Sequence, residues 1–219
     1  MTTYANNADT CGACGHVFTH PVLMSTNAFG SADLDTRPPE MQRSTMEVWV
    51  TRCPSCGYCA RRISVCDDRQ RPVLESAAYR SQLADRDYPE LASTFLCQAM
   101  LLAAVDEPHQ AAWSRLHAAW VLEDAEKSEQ ARQWRGRAAD EFLAIPLASR
   151  PQDEPAGAYE AVVVDCLRRA GRGDEALAWL DRLSGQDIGG VIQKVLLFQR
   201  VLIQRADIDR HRISEALAP

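Results

Sequence analysis

Residues 53–66 read CPSCGYCARRISVC and hold four of the chain's eight cysteines. Thiols this dense are metal ligands, a redox pair or unrelated neighbours, and an earlier stretch decides among these. CGAC at residues 11–14 is a second C-x-x-C, matching CPSC at 53–56. Each such knuckle lets one tight turn aim two sulfurs at an ion about 2.3 Å away, and two knuckles complete a tetrahedral site. Gly15 and Gly57 follow the second cysteine of each knuckle, where a residue free to take positive φ lets backbone N–H groups point back at the thiolates. The expected ligands are therefore Cys11, Cys14, Cys53 and Cys56, around one structural zinc ion. Four thiolates leave no open coordination position, so such a zinc holds shape and activates no water.

Cys59 and Cys66 remain as possible secondary thiols. Cys56-x-x-Cys59 is formally a redox motif, but a redox pair needs its first sulfur free and at a helix start, and metal would occupy it. The bland reading of Cys59 is a half-buried thiol on the exit strand; Cys66 is either an alternative ligand or part of a linker. His16 and His20 follow the first knuckle closely, yet with no cysteine missing neither is needed as a ligand. Cys97 and Cys166 lie in apolar helical stretches and are expected in the core.

Around the knuckles the chain reads as two segments. In residues 1–71, HVFTHPVLM (16–24) and MEVWVTRC (46–53) carry the β-branched and aromatic residues of strands. Residues 25–45, with Gly30, Pro38 and Pro39, have no sustained period and read as a loop. The span between knuckles exceeds the usual ribbon spacing, which a long inserted loop explains. From Pro72 the texture turns to Ala, Leu, Glu and Arg at helical spacing. Helices are expected at 72–84, 89–106, 109–127, 129–144, 156–171, 174–184, 188–206 and 209–217, with 145–157 as a linker. The fold class is α+β: a small β-rich zinc ribbon (1–71) followed by an all-α domain of helical hairpins (72–219). Residues 159–185 fit a tetratricopeptide-like helix pair in part, with Leu167 on the first helix, Gly171 and Gly173 in the turn, and Ala176, Leu180 and Leu183 on the second. Val164 stands where that pattern wants a small residue. Residues 95–126 read as a second, looser pair.

Composition excludes several classes. The 219 residues are 46% hydrophobic and 25% charged, ordinary for a globular protein. No apolar run reaches the roughly 18 residues of a membrane helix, and MTTYANNADTCGAC lacks the pattern of a secretory leader; a cytoplasmic chain is expected, where structural disulfides are rare. The net charge of −6 falls wholly on residues 72–219, since residues 1–71 are neutral. Clustered Lys and Arg are the footprint of nucleic-acid binding, and Arg52, Arg61, Arg62, Arg69 and Arg71 give a local basic run around the second knuckle. No G-x-S-x-G, P-loop, H-E-x-x-H or dinucleotide fingerprint occurs, so no catalyst and no small-molecule substrate are expected. Asp33 and Asp35, alternating ahead of Arg37, are read as solvated or turn-capping in a polar loop. Trp113, Trp120, Trp134 and Trp179 are expected to be core, and Glu123, Asp124 and Glu126 a solvated face.

CGACGHVF, the loop with DLDTRP, EVWVTRCPSCGYCA, LHAAWVLED and CLRRAGRGDEALAWL together resemble a bacterial family known as domain of unknown function 2225. The resemblance spans residues 8 to 185 and implies a zinc ribbon followed by tetratricopeptide-like helices, with Cys11, Cys14, Cys53 and Cys56 at the ligand positions. It implies no activity. Cys59 departs from the pattern, which continues with small residues after C-G-Y. The functional expectation is a non-enzymatic zinc-binding interaction module for a protein or peptide partner, whose acidic helical half would steer a basic segment. A nucleic-acid-binding ribbon and a rubredoxin-like or thiol redox protein are the alternatives.

Overall fold

The computed structural model describes residues 1–150 and 155–218, apart from the side chain of Leu147. Residues 151–154, part of the expected linker, lie outside the described residues. The chain divides into two compact units, one of residues 1–29 with 40–131, the other of residues 30–39 with 132–219.

The first unit opens with an antiparallel hairpin of β1 (Thr3–Thr10) and β2 (Val17–Ser25), in which Thr10 faces Val17 and Asn7 faces His20. The first knuckle is the turn of this hairpin. The second knuckle joins β3 (Thr51–Arg52) to β4 (Cys59–Ala60), with Arg52 opposite Cys59. Nothing in the residue pattern marks β1: TYANNADT is polar and mostly exposed, so it has no buried face to give alternation, and pairing with β2 makes it a strand. The strand expected over 46–53 is largely a 3-10 turn, Arg43–Val48, with extended chain only at Thr51–Arg52. Thr45, Met46 and Val50 are all buried, and Trp49 Nε1 donates to Thr45 Oγ1 across four residues. The apolar spacing there is helical, and it overrides β propensity.

Four helices complete this unit: α1 (Arg71–Glu75), α2 (Ala77–Ala84), α3 (Glu90–Ala103) and α4 (Pro108–Asp124). The expected helix over 72–84 is broken at Ser76, whose extended backbone and hydroxyl cap α2 by accepting from Tyr79 N–H. α3 and α4 form a hairpin in which alanines 92, 99, 111, 112, 118 and 119 are buried; side chains this small let packed helices approach closely. Phe95, Leu96, Leu116, Trp120 and Leu122 fill the rest of that core.

α5 (Ser128–Ala144) carries the division between the units. The second unit continues with α6 (Ala158–Arg169), α7 (Gly173–Arg182), α8 (Gly190–Gln204) and the short α9 (Ile213–Ala216). Val163, Val164, Leu167, Ala176, Leu180, Val195 and Leu202 form its apolar core. Segment 30–39 joins this unit rather than its neighbours in sequence. The division thus lies away from the change of texture at 71/72. In the first unit the second knuckle is tied to helices: Tyr79 Oη donates to the Gly57 carbonyl (2.9 Å), and Tyr58 Oη donates to Gln70 Oε1 (2.9 Å), whose Nε2 donates to the Leu101 carbonyl (3.3 Å).

Helices α3, α4, α6 and α8 end alike. A residue in the left-handed region follows each (Asp106, Glu126, Gly171 and Ala206), and the next N–H reaches back to a leucine carbonyl: Glu107 to Leu102, Lys127 to Leu122, Arg172 to Leu167 and Asp207 to Leu202. This is the Schellman closure. The fold is thus α+β, a small β region with a four-cysteine cluster followed by packed helices. Among the described residues no helix is long and apolar enough to cross a membrane.

Candidate metal centre

The two knuckles are built alike. In the first, Cys11 N–H donates to the His16 carbonyl and Gly15 N–H to the Cys11 carbonyl, both at 2.8 Å; in the second, Cys53 N–H donates to Tyr58 (2.8 Å) and Gly57 N–H to Cys53 (3.0 Å). Gly15 and Gly57 lie at φ 74° and 76°, the conformation expected from their positions. Their surroundings differ: a Cβ on Gly15 would meet nothing within 4 Å, whereas one on Gly57 would lie 2.3 Å from Leu83 Cδ2. Gly12 is constrained too, since a Cβ there would stand 2.8 Å from the backbone at Ser64 and Cys66.

This geometry brings Cys11, Cys14, Cys53 and Cys56 together, with all four sulfurs within 4.8 Å of one another. Cys11 Sγ to Cys56 Sγ and Cys14 Sγ to Cys53 Sγ are each 3.8 Å. A regular tetrahedron with metal–sulfur bonds of about 2.3 Å has edges of about 3.8 Å, so the donors fit one ion. The thiols differ in their electrostatics. The backbone N–H of His16 brings the Cys14 thiol down to about 7, while burial pushes Cys11 and Cys56 up. Backbone N–H groups of Ala13 and Cys14 oppose that rise at Cys11, and that of Tyr58 opposes it at Cys56. Thiols so placed lose their protons to a bound cation, which supplies the missing countercharge. The four cysteines are placed to hold one metal ion.

The other expected residues fall outside this cluster. Cys59 is buried and its Sγ lies 3.2 Å from the Gly57 carbonyl, while Cys66 Sγ lies 3.6 Å from the Asp67 carbonyl. His20 Nε2 pairs with Asp9 at 2.9 Å, and His16 stacks on Phe18. Cys97 and Cys166 are fully buried, as expected for core. Trp120 is buried, whereas Trp113, Trp134 and Trp179 are half-buried. Of the basic run, Arg52 pairs with Glu90, Arg69 with Asp67 and Asp106, and Arg71 with Asp68.

The reading of Asp33, Asp35 and Arg37 as a solvated loop is corrected: their exposures are 1%, 0% and 1%. Only the turn-capping part of that reading survives, in the Arg37 N–H that reaches Asp35 Oδ1 at 3.3 Å. Asp35 Oδ2 accepts from Arg135 Nη1 at 2.5 Å and from Arg169 Nη1 at 3.4 Å. Nearby on α6, Arg168 Nη2 donates to Asp165 at 2.7 Å, both 1% exposed. Sequence reading missed these arginines because surface is where arginine usually lies; a signal was available in R-R at 168–169 on a helix whose neighbours are apolar all round.

Family models, curated proteins and solved structures compared with the chain give no match. The resemblance to domain of unknown function 2225 is therefore carried by the quoted residues alone.

Proposed function

We propose that this chain is a zinc-stabilised, non-enzymatic interaction module, a ribbon with tetratricopeptide-like helical hairpins of the kind the resemblance implies, which engages a protein or peptide partner. The observation that carries the reading is the tetrahedral spacing of four thiol sulfurs with every donor supplied by the chain. A donor set closed in this way favours a structural ion over a catalytic one. Support for the helical half comes from two tight hairpins, α3–α4 and α6–α7, since helical hairpins stacked in series generate extended binding surfaces. The nucleic-acid alternative loses support, because Arg52, Arg69 and Arg71 are each engaged by carboxylates.

The test is elemental analysis combined with native thiol titration on protein purified without added metal. One zinc per chain, with no reactivity at Cys11, Cys14, Cys53 or Cys56, is the expected result. Iron in place of zinc would transfer the centre to electron transfer, and a metal-free chain with a ready Cys56–Cys59 disulfide would transfer it to thiol exchange.

A further inference from the structure

Segment 30–39 leaves and re-enters its surroundings through one neck. Phe29 N–H donates to the Glu40 carbonyl at 2.5 Å, and Ala28 and Met41 form a single antiparallel bridge. The residues between form a closed loop, which by its contacts belongs to the helical unit.

That unit receives the loop in two ways. Along the backbone, Leu34 N–H donates to the His211 carbonyl (3.0 Å) and Ile213 N–H to the Ala32 carbonyl (2.9 Å), with Asp33 and Arg212 bridged antiparallel. Ser214 N–H adds a bond to Ser31 Oγ at 2.9 Å. Through side chains, Leu34 is 2% exposed, and Asp35 is held by Arg135 of α5 and Arg169 of α6, which are 2% and 7% exposed. Strand addition for affinity and arginine capture of a carboxylate for selectivity are the devices by which domains bind extended peptides.

Two further features set the loop apart from ordinary core. Burying arginines around a carboxylate is often no better for stability than apolar packing of the same volume, so stability alone gives no reason for a charged seat here. Thr36, at the loop's exposed tip, sits at φ 65°, an uncommon conformation for a β-branched residue, which stores strain in the docked loop.

We infer that the helical unit carries an arginine-lined docking site for a short extended peptide that presents one buried aspartate, and that residues 31–37 of this chain, with Asp35 in that place, are its resident ligand. The inference rests on the interaction-module reading and names the chemistry of what the helices take. The acidic balance of residues 72–219 would favour a basic partner; the seat around Arg135 and Arg169 has the opposite preference.

The experiment uses the full chain with residues 30–39 replaced by a length-matched Gly/Ser segment, and a fluorescent synthetic peptide of residues 28–41. Saturable, salt-sensitive binding to the replaced chain is expected, with at least tenfold weaker binding to the intact chain and for the Asp35→Asn peptide. A replaced chain that melts cooperatively and keeps its metal yet ignores the peptide would overturn the inference, as would equal binding of the Asn peptide. Should the replaced chain not fold, amide hydrogen exchange on the intact chain decides. The Leu34 and Ile213 amides are expected to open together, well before those of α6, and faster still in Asp35→Asn. Exchange of these amides only with global unfolding would make the loop core and sink the docking site. Metal analysis of the same samples separates this outcome from failure of the zinc reading, which does not depend on the peptide.

Discussion

Two polar centres fasten loops in this chain, one partly exposed at Cys14 and one buried at Asp35, and they differ in how far the chain must travel to make them. At the cysteine centre each knuckle sets two sulfurs three residues apart on its own turn, and the fold has only to bring two prebuilt turns together. At the Asp35 centre nothing is prebuilt: the carboxylate meets Arg135 across 100 residues and Arg169 across 134. Local chemistry creates the first centre, and tertiary packing creates the second. Their dependences should differ accordingly, the first on a metal and the second on each charged partner.

The sharpest way to break the comparison is to remove the metal. Zinc in small domains contributes on the order of 10 kcal/mol to folding, far more than two short strand pairs can replace. A strong chelator, or Cys53→Ser, should abolish protection of the β1–β2 and β3–β4 amides while those of α6 and α8 remain protected, as read by hydrogen exchange. Uniform retention of protection would show that the strands stand without an ion.

Next in size is the charge at the other centre. Asp35→Asn leaves Arg135 and Arg169 buried without that countercharge, which should cost about 3–5 kcal/mol in urea denaturation and leave the metal content unchanged. Replacing Asp35, Arg135 and Arg169 together by leucine and methionine should recover most of that loss, because the desolvation cost leaves with the charges. A loss below about 1 kcal/mol for the single change would mean the seat is wet rather than desolvated.

The same contrast explains what was legible in the residues. The four ligands could be read because C-x-x-C-G encodes its own turn, and the helices because apolar spacing and Pro or Gly punctuation are local signals. Most helix ends fell within a few residues of those expected. The β1 strand could not be read, because TYANNADT has no buried face and exists only by pairing with β2. Asp33, Asp35 and Arg37 were invisible as core, since a D-x-D-x-R run in a proline-bearing loop has the composition of a solvated turn. Its burial depends on helix residues 100 and 134 positions from Asp35.

Within the metal centre, the twin knuckles allow a finer cut. Gly15→Ala and Gly57→Ala impose the same left-handed conformation on an L residue, worth about 1–2 kcal/mol each. Only the second also drives a Cβ toward Leu83, adding an overpacking cost of about 1–3 kcal/mol. Thermal melts of the metal-loaded variants should therefore rank Gly57→Ala well below Gly15→Ala. Equal losses would show that Leu83 yields freely.

The loop seat has an acid dependence of its own, beside the release of metal that protonation of the cysteine thiolates brings. His211, whose carbonyl receives Leu34, lies 3.0 Å from Asp207 and 2.7 Å from Glu215. Burial pushes both carboxyls up, but the Asp209 N–H and His211 at Asp207, and His211 and the Arg212 N–H at Glu215, outweigh it and hold both below their usual range. A carboxylate with a depressed folded pKa contributes stability above its unfolded value, near 4, and loses it as pH falls through the folded value. Stability should therefore decline below about pH 4, and His211→Gln should shrink that decline by removing the shared partner. An unchanged acid profile in the variant would assign the depression to the backbone donors alone.

The smallest effect tests the helix ends, where one closure is made with and without glycine. Gly171 and Ala206 occupy equivalent positions after α6 and α8, at φ 78° and 54°. Around Gly171 a Cβ would meet nothing within 4 Å, so Gly171→Ala isolates the cost of left-handed backbone in an L residue, about 1–2 kcal/mol, less the roughly 0.5–1 kcal/mol by which alanine restricts the unfolded chain. The net loss should be about 0.5–1 kcal/mol. Ala206→Gly runs the same balance backwards and should gain a similar amount in denaturant melts. If the gain fails to match the loss, the environment of Ala206 contributes what its backbone does not, and the exposed ends after α3 and α4 at Asp106 and Glu126 become the controls, since glycine there changes the conformational cost with little packing to lose.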